Sequence, residues 1–265
     1  MAQQLTPTDE QAAALPFPTI RPIDAAAPFR WIARGFSDLM ACARASLFYG
    51  FCFTGMGLLL TYVFAHAYHY TSAVTTGFML VAPFFAMGLY ELSRRRERGE
   101  HPDLIPSLTV WRRNLGNLAL FAGVLLVIFL VWARASLVIF AMFYTEELPT
   151  LDRFLSQVLS LQNLEFLLMY FAVGSLFALL VFAVSVVSIP LMLDRNQDAI
   201  TAMLASIRAL GENLVPLLIW AFLIVALTLV GFLSFHLGLA VVMPVLGHAT
   251  WHAYRELVAP LPGSA

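Results

Sequence analysis

The stretch GHATWHAYREL, residues 247–257, sets His248 and His252 four residues apart, with Arg255 and Glu256 just beyond. On a helix an i, i+4 pair lies on one face, and two imidazoles so placed can ligate a metal ion. Between them stands ATW, without the glutamate base of an HExxH motif. Glu91 is the candidate third ligand, because an internal alignment of the chain puts it level with His252. A second group, His66, His69 and His236, lies near the outer ends of two other apolar segments, where a bis-imidazole haem or metal site can form. The rival reading of His248 and His252 is structural: with Trp251, Tyr254 and Arg255 they mark the belt where a membrane helix leaves the bilayer.

The elements that must position these residues are apolar. Of 265 residues, 60% are hydrophobic and 12% charged, and the mean hydropathy is +0.81, well outside soluble composition. A helix rises about 1.5 Å per residue and the bilayer core is about 30 Å thick, so spans of roughly 20 residues are the unit to count. Six candidates follow: 46–66, 72–92, 117–137, 166–190, 214–235 and 239–254. Long apolar runs without alternation argue for helices over barrel strands. The expected fold is all-α, a polytopic membrane bundle of about six spans.

The formal net charge of -1 conceals an asymmetry. Every basic residue is arginine. Arg21, Arg30, Arg34 and Arg44 precede the first span; Arg94, Arg95, Arg96, Arg98, Arg112 and Arg113 lie between spans two and three. Arg195, Arg208 and Arg255 fall on that same side if the chain crosses six times. The opposite loops carry Arg153 among Glu146, Glu147, Asp152 and Glu165. Basic residues stay inside, so both termini are expected in the cytoplasm. Residues 1–27 read as a disordered cytoplasmic tail, 28–258 as a single membrane domain and 259–265 as a C-terminal tail. Cys42 and Cys52 have neither the spacing nor the setting of a disulfide or zinc site and read as packing residues.

An amphipathic segment precedes each pair of spans. Phe29, Ile32, Phe36 and Leu39 form an apolar stripe with Arg30, Arg34 and Asp38 on other faces; Leu108, Trp111 and Leu115 form the second; Ile200, Met203, Leu204, Ile207 and Leu210 form the third, opposite Thr201 and Arg208. Such helices either float among anionic headgroups or pack on the bundle. The basic residues expected to face lipid are Arg30, Arg34, Arg94, Arg95, Arg112, Arg208 and Arg255. An amphipathic outer helix over 151–161 is also plausible.

The second span of each pair carries a proline, Pro83, Pro190 or Pro244, that can kink it. Aligning Pro83 on Pro244 pairs Tyr90 with Trp251, Glu91 with His252 and Arg94 with Arg255. A weak pseudo-threefold repeat follows, with units at about 28–98, 104–193 and 196–256. Small residues at Gly55, Gly57, Gly174 and Ser175 would let helix backbones approach closely.

RWIARGFSDL, LVAPFFAMGLYELSRRRERGE, VVSIPLMLDR followed by DAITAML, and GHATWHAYREL together resemble the DUF2189-type family of proteobacterial integral membrane proteins. The resemblance runs from Ile20 to Leu257. It implies a multi-pass protein of the bacterial inner membrane and brings no reaction, substrate or catalytic residues.

Within the spans the basic exception is Arg134, placed roughly 26 Å from the cytoplasmic end of its helix, near enough to the outer interface to reach Glu146, Glu147 or phosphate. Coupled carriers keep charge at the midplane, so its scarcity here argues against ion-driven transport. A haem-copper oxidase core needs six clustered intramembrane histidines; here His101 sits in a loop and the others divide between opposite faces. No phosphate-binding, nucleophile-elbow, dinucleotide or kinase motif is present. The expectation is a non-enzymatic inner-membrane protein without a cofactor, an accessory, assembly or membrane-organising component. Its partners would be lipids with anionic headgroups and possible contacts to another membrane complex, not nucleic acid. A facilitator for a small solute through the pseudo-threefold centre, and a haem- or metal-binding membrane protein, are the alternatives.

Overall fold

In a bilayer every backbone N–H and C=O must be satisfied within the segment, so the apolar runs fold as helices. The computed structural model of the chain describes residues 17–66, 71–143 and 163–261, and the side chains of all of these but 71–81. Its helices are α1 (Ala27–Ala41), α2 (Ala43–His66), α3 (Thr71–Glu97), α4 (Leu104–Leu108), α5 (Leu115–Phe143), α6 (Leu164–Ser185), α7 (Ser188–Arg195), α8 (Ala199–Glu212), α9 (Leu214–Leu233) and α10 (Leu239–Leu257), with a 3-10 turn at Val110–Asn114. Among the described residues four stretches are long and apolar enough to cross a membrane: Ala43–His66, Val110–Phe143, Leu164–Arg195 and Leu214–Leu233. The fold is an all-helical membrane bundle, as the composition implies.

Helices α3 and α10 are the two expected spans outside those four. Their second halves carry Glu91, Arg94, Arg95 and Arg96 on α3, and His248, His252, Arg255 and Glu256 on α10. Helix α10 tolerates this because it is central. It packs on α1, α2, α3 and α9, and from Pro244 to Ala249 every side chain is buried. Close approach is set by two glycines. A Cβ on Gly35 of α1 would lie 2.6 Å from the Val245 carbonyl oxygen, and one on Gly50 of α2 would lie 2.0 Å from that of Ala240. The glycines that the sequence pattern singles out do not serve this purpose. Gly55 faces open space, while Gly57 and Gly174 face the rings of His236 and Trp132. Backbone contact depends on which face meets a neighbour, and composition is blind to that.

Pro83 and Pro244 lie inside α3 and α10. Pro190 instead sits in the first turn of α7, where its missing N–H is harmless, and the long fourth segment breaks before it at Val186–Val187. Hydroxyls take up carbonyls at the break: Ser188 donates to Val184 O at 2.6 Å, and Ser206 of α8 to Ala183 O at 2.7 Å.

The amphipathic segments resolve into two faces rather than one. Helix α1 buries Trp31, Gly35, Asp38 and Leu39 against the bundle and leaves Phe29, Phe36 and Met40 exposed. Helix α8, capped by the Asp198 carboxylate accepting from Thr201 N, packs through Ala199, Ala202, Ala205 and Ala209, with Ile200, Leu204 and Ile207 exposed. The middle segment is no single helix: α4 and the 3-10 turn run into α5.

Helix α5 pairs with α6 through rings, Trp132 lying 5.4 Å from Tyr170 and 5.5 Å from Phe177. Arg134 is exposed on α5; Glu146, Glu147 and the expected outer helix over 151–161 fall outside the described residues. At the other end of the bundle the terminal segments meet. Arg21 N donates to Leu257 O at 2.8 Å and Ala259 N to Thr19 O at 2.9 Å. Residues 17–26 are therefore not part of a disordered tail: Ile20 is buried and Ile23 N donates to Asn213 Oδ1. Backbone pairing supplies the order that composition alone does not reveal.

Candidate functional site

The densest group of titratable and polar side chains surrounds His248. The imidazole has no exposed surface. Its Nε2 lies 2.8 Å from Ser46 Oγ on α2, and its Nδ1 lies 2.7 Å from Ser93 Oγ on α3. Ser93 donates in turn to Asp38 Oδ2 at 2.5 Å, and Asp38 comes from α1. His252, one turn beyond His248, places Nε2 2.9 Å from the same oxygen, and Arg96 donates to Asp38 Oδ1. Four helices thus meet on one carboxylate and one imidazole.

The proton count sets the direction of these bonds. An ionised carboxylate only accepts, and Ser93 has one proton to give. Ser93 must therefore accept from His248 Nδ1–H, which leaves Nε2 as acceptor for the Ser46 hydroxyl. Burial of Asp38 opposes its ionisation, but the hydrogen bonds from His252 and Ser93, with the electrostatic pull of His252, hold its carboxyl below the ordinary value of 3.8. Cys42 closes the group, donating to Asp38 O at 2.9 Å and lying 3.3 Å from Ser46 Oγ; burial pushes its thiol up, so it remains protonated.

A hydroxyl bonded to an imidazole that is backed by a carboxylate is the arrangement of an activated nucleophile. Here Ser46 and His248 are both wholly enclosed, so no substrate reaches the oxygen in this conformation. What the network does is hold a buried charge in place and tie α1 to α3 and α10.

Glu91 is not the third group beside the histidines. Its carboxylate, 1% exposed, takes Arg94 at 2.8 Å, Arg95 at 3.2 Å and Arg113 at 3.2 Å; Asp38 occupies the place beside the imidazoles. No set of three or more His, Cys, Asp or Glu poised to hold a metal ion occurs among the described residues. At the other end, His66 Nδ1 contacts Tyr62 O at 3.0 Å and His236 Nε2 contacts Thr61 Oγ1 at 3.2 Å; His69 falls outside the described residues.

The arginines expected to face lipid are mostly paired. Arg30 binds Asp24 and Glu256, Arg34 lies 3.8 Å from Glu256, Arg208 pairs with Glu212 and Arg255 with Glu97, and Arg112 lies over the Trp111 ring. Nor do Trp251 and Tyr254 form an interfacial belt. Both are buried, their polar atoms bonded to Glu97 and Asp194. Wrapping by α1 and α3 brings the end of α10 inside the protein.

Asp38, Ser46, Ser93 and Arg96 are site residues that sequence reasoning assigns no joint role. The available signal is the i, i+4, i+7 row Trp31, Gly35, Asp38, which puts a carboxylate on the face that a glycine marks for close contact.

A second feature is a cleft of about 500 Å³ between α3, α5, α6 and α7, lined by apolar side chains including Met87, Phe121, Leu125, Trp132, Phe177 and Ile189.

A family model described as a predicted integral membrane protein (DUF2189) matches residues 71–194. That stretch runs from α3 to α7 and contains Glu91, Ser93 and Arg96, whereas Asp38, Ser46 and GHATWHAYREL lie outside it; the match is shorter than the resemblance read over 20–257. No curated protein and no solved structure matches the chain.

Proposed function

We propose, from the premise that residues 71–194 match the DUF2189 family of predicted integral membrane proteins, that this chain is a non-enzymatic, membrane-organising component of the bacterial inner membrane. One observation carries the reading: α1 and α8 each keep an apolar stripe, Phe29, Phe36 and Met40 or Ile200, Leu204 and Ile207, on the surface opposite the face that packs. Water does not favour such rows, and the boundary between headgroups and acyl chains does. Arg34 and Arg208, each about half exposed beside these rows, are placed to reach anionic phosphates.

In this reading α3 and α10 complete six crossings, arranged as three consecutive pairs with both chain ends in the cytoplasm. The pairing of the two terminal segments supports an even number of crossings. The apolar lining of the cleft beside α3 favours this role over a conduit for a polar solute.

The test is extraction in lipid-retaining polymer particles followed by mass spectrometry of what stays bound. Wild type is expected to retain anionic lipid above its proportion in the membrane, and the double variant Phe36→Glu, Leu204→Glu to fall to that proportion while staying folded. Bulk lipid composition around both proteins would overturn the reading.

A further inference from the structure

At the end of the bundle where α3, α7 and α10 all terminate lies a pocket of about 350 Å³, a size that suits a small ligand. Its walls carry four guanidinium groups, Arg94 of α3, Arg98 in the turn just past its end, Arg195 of α7 and Arg255 of α10, against two carboxylates, Glu97 and Asp194. Arg94 is matched by the buried Glu91 carboxylate, so the excess facing the pocket is one positive charge. The helix C-termini offset part of it, and the carboxylates are already engaged. Glu97 accepts from Trp251 at 3.0 Å and Arg255 at 2.9 Å, and Asp194 accepts from Tyr254 at 2.8 Å.

The guanidiniums differ in what they have left to give. Arg94 is committed to Glu91 through Nε and Nη2, and Arg195 to Tyr254 and Ala259 through Nε and Nη2. Arg98 makes no side-chain hydrogen bond among the described residues. Its Nη2 lies 3.6 Å from Asp194 and its side chain is 52% exposed. Donors held around a concave space without enough acceptors suit a ligand that brings acceptors and negative charge.

We infer that this pocket binds a phosphomonoester dianion, with Arg98 as the principal donor. The phosphate can belong to a lipid headgroup or to a free small molecule; the chemistry of recognition is the same. The inference is independent of the surface helices, since none of α1 or α8 lines the pocket.

Two preparations of the full chain test it, one in zwitterionic nanodiscs titrated with inorganic phosphate and one in nanodiscs containing phosphatidic acid. Each is compared with chloride at matched ionic strength by thermal unfolding and ³¹P NMR. Specific stabilisation in the first arm identifies a free-phosphate site, and in the second alone a headgroup site. Arg98→Gln is expected to weaken binding about tenfold or more, the worth of one charge-assisted hydrogen bond, with its melting temperature in chloride unchanged. Glu97→Gln removes an opposing charge and is expected to tighten binding several-fold. No phosphate effect in either arm, unaltered affinity in Arg98→Gln, or weaker binding in Glu97→Gln would each overturn the assignment.

Discussion

Helices α5 and α10 invert the usual relation between polarity and exposure. Helix α10 carries two histidines, an arginine and a glutamate, yet twelve of its 19 residues are buried. Helix α5 lies in the stretch Val110–Phe143, whose most apolar 18-residue window has a mean hydropathy of 2.5 and is only 6% buried. In water the polar helix would lie outside. In a bilayer the surrounding solvent is hydrocarbon, so an apolar helix can face it alone, and polar groups need protein partners to satisfy them. The comparison teaches that the structural centre of this chain is a helix far less hydrophobic than α5.

Substitutions that separate the two environments break or sharpen this contrast. The largest effect is expected for Gly50→Leu, where the new side chain meets the Ala240 backbone. Destabilisation of about 3 kcal/mol or more, beyond ordinary overpacking because backbone cannot yield, should appear as lost monodisperse protein and a collapsed thermal transition. Gly55→Leu on the same helix and Gly123→Leu on α5, both facing open space, should leave yield and melting unchanged.

Next comes Asp38→Asn, which takes the charge from beneath His252, Ser93 and Arg96. Bonds to a charged group contribute about 1.5–3 kcal/mol, and the partly exposed Arg96 places the loss near the middle of that range, about 2 kcal/mol. The pH dependence has a definite sign. The folded carboxyl titrates below its ordinary 3.8, so its contribution is complete above that value and is lost as pH falls through the folded one. Melts from pH 7 to pH 3 should show an acid decline in wild type that Asp38→Asn flattens; parallel curves would refute the assignment.

His248→Phe keeps an aromatic side chain but leaves the Ser46 hydroxyl without its acceptor and removes the donor to Ser93. A loss of about 1–2 kcal/mol is expected, measured by chemical unfolding, with α1 released first in hydrogen exchange. The smallest effect is on the other side of the comparison: Val127→Ala on α5, at a side chain 61% exposed, should stay within about 0.5 kcal/mol. A larger loss there would mean that α5 is covered by a partner rather than by lipid.

Much of the architecture was legible residue by residue. The apolar runs located the helices, and the prolines before 29 and 107 and the periodic stripes marked the surface segments. Those stripes did not show which side would pack, because α8 docks through its alanines while the larger Ile200, Leu204 and Ile207 remain outside. Small residues permit close helix contact, and size alone does not reveal it in a hydropathy pattern. The pairing of His248 with His252 was legible too, since i, i+4 spacing is a local property. Asp38 as their partner was not, being 214 residues from His252 in sequence; the Glu91 alternative failed because three guanidiniums lie closer to that carboxylate.

By itself, the sequence determined that this protein lives in a membrane as a bundle of helices. Hydropathy and helical period are sums over neighbours in the chain, and a bilayer reads them directly. Tertiary structure alone decided that α10 lies at the centre, that Asp38 and not Glu91 meets the histidines, and that Trp251 is core rather than interface. Those outcomes depend on which helix faces approach one another, a choice made by contacts among residues far apart in the chain.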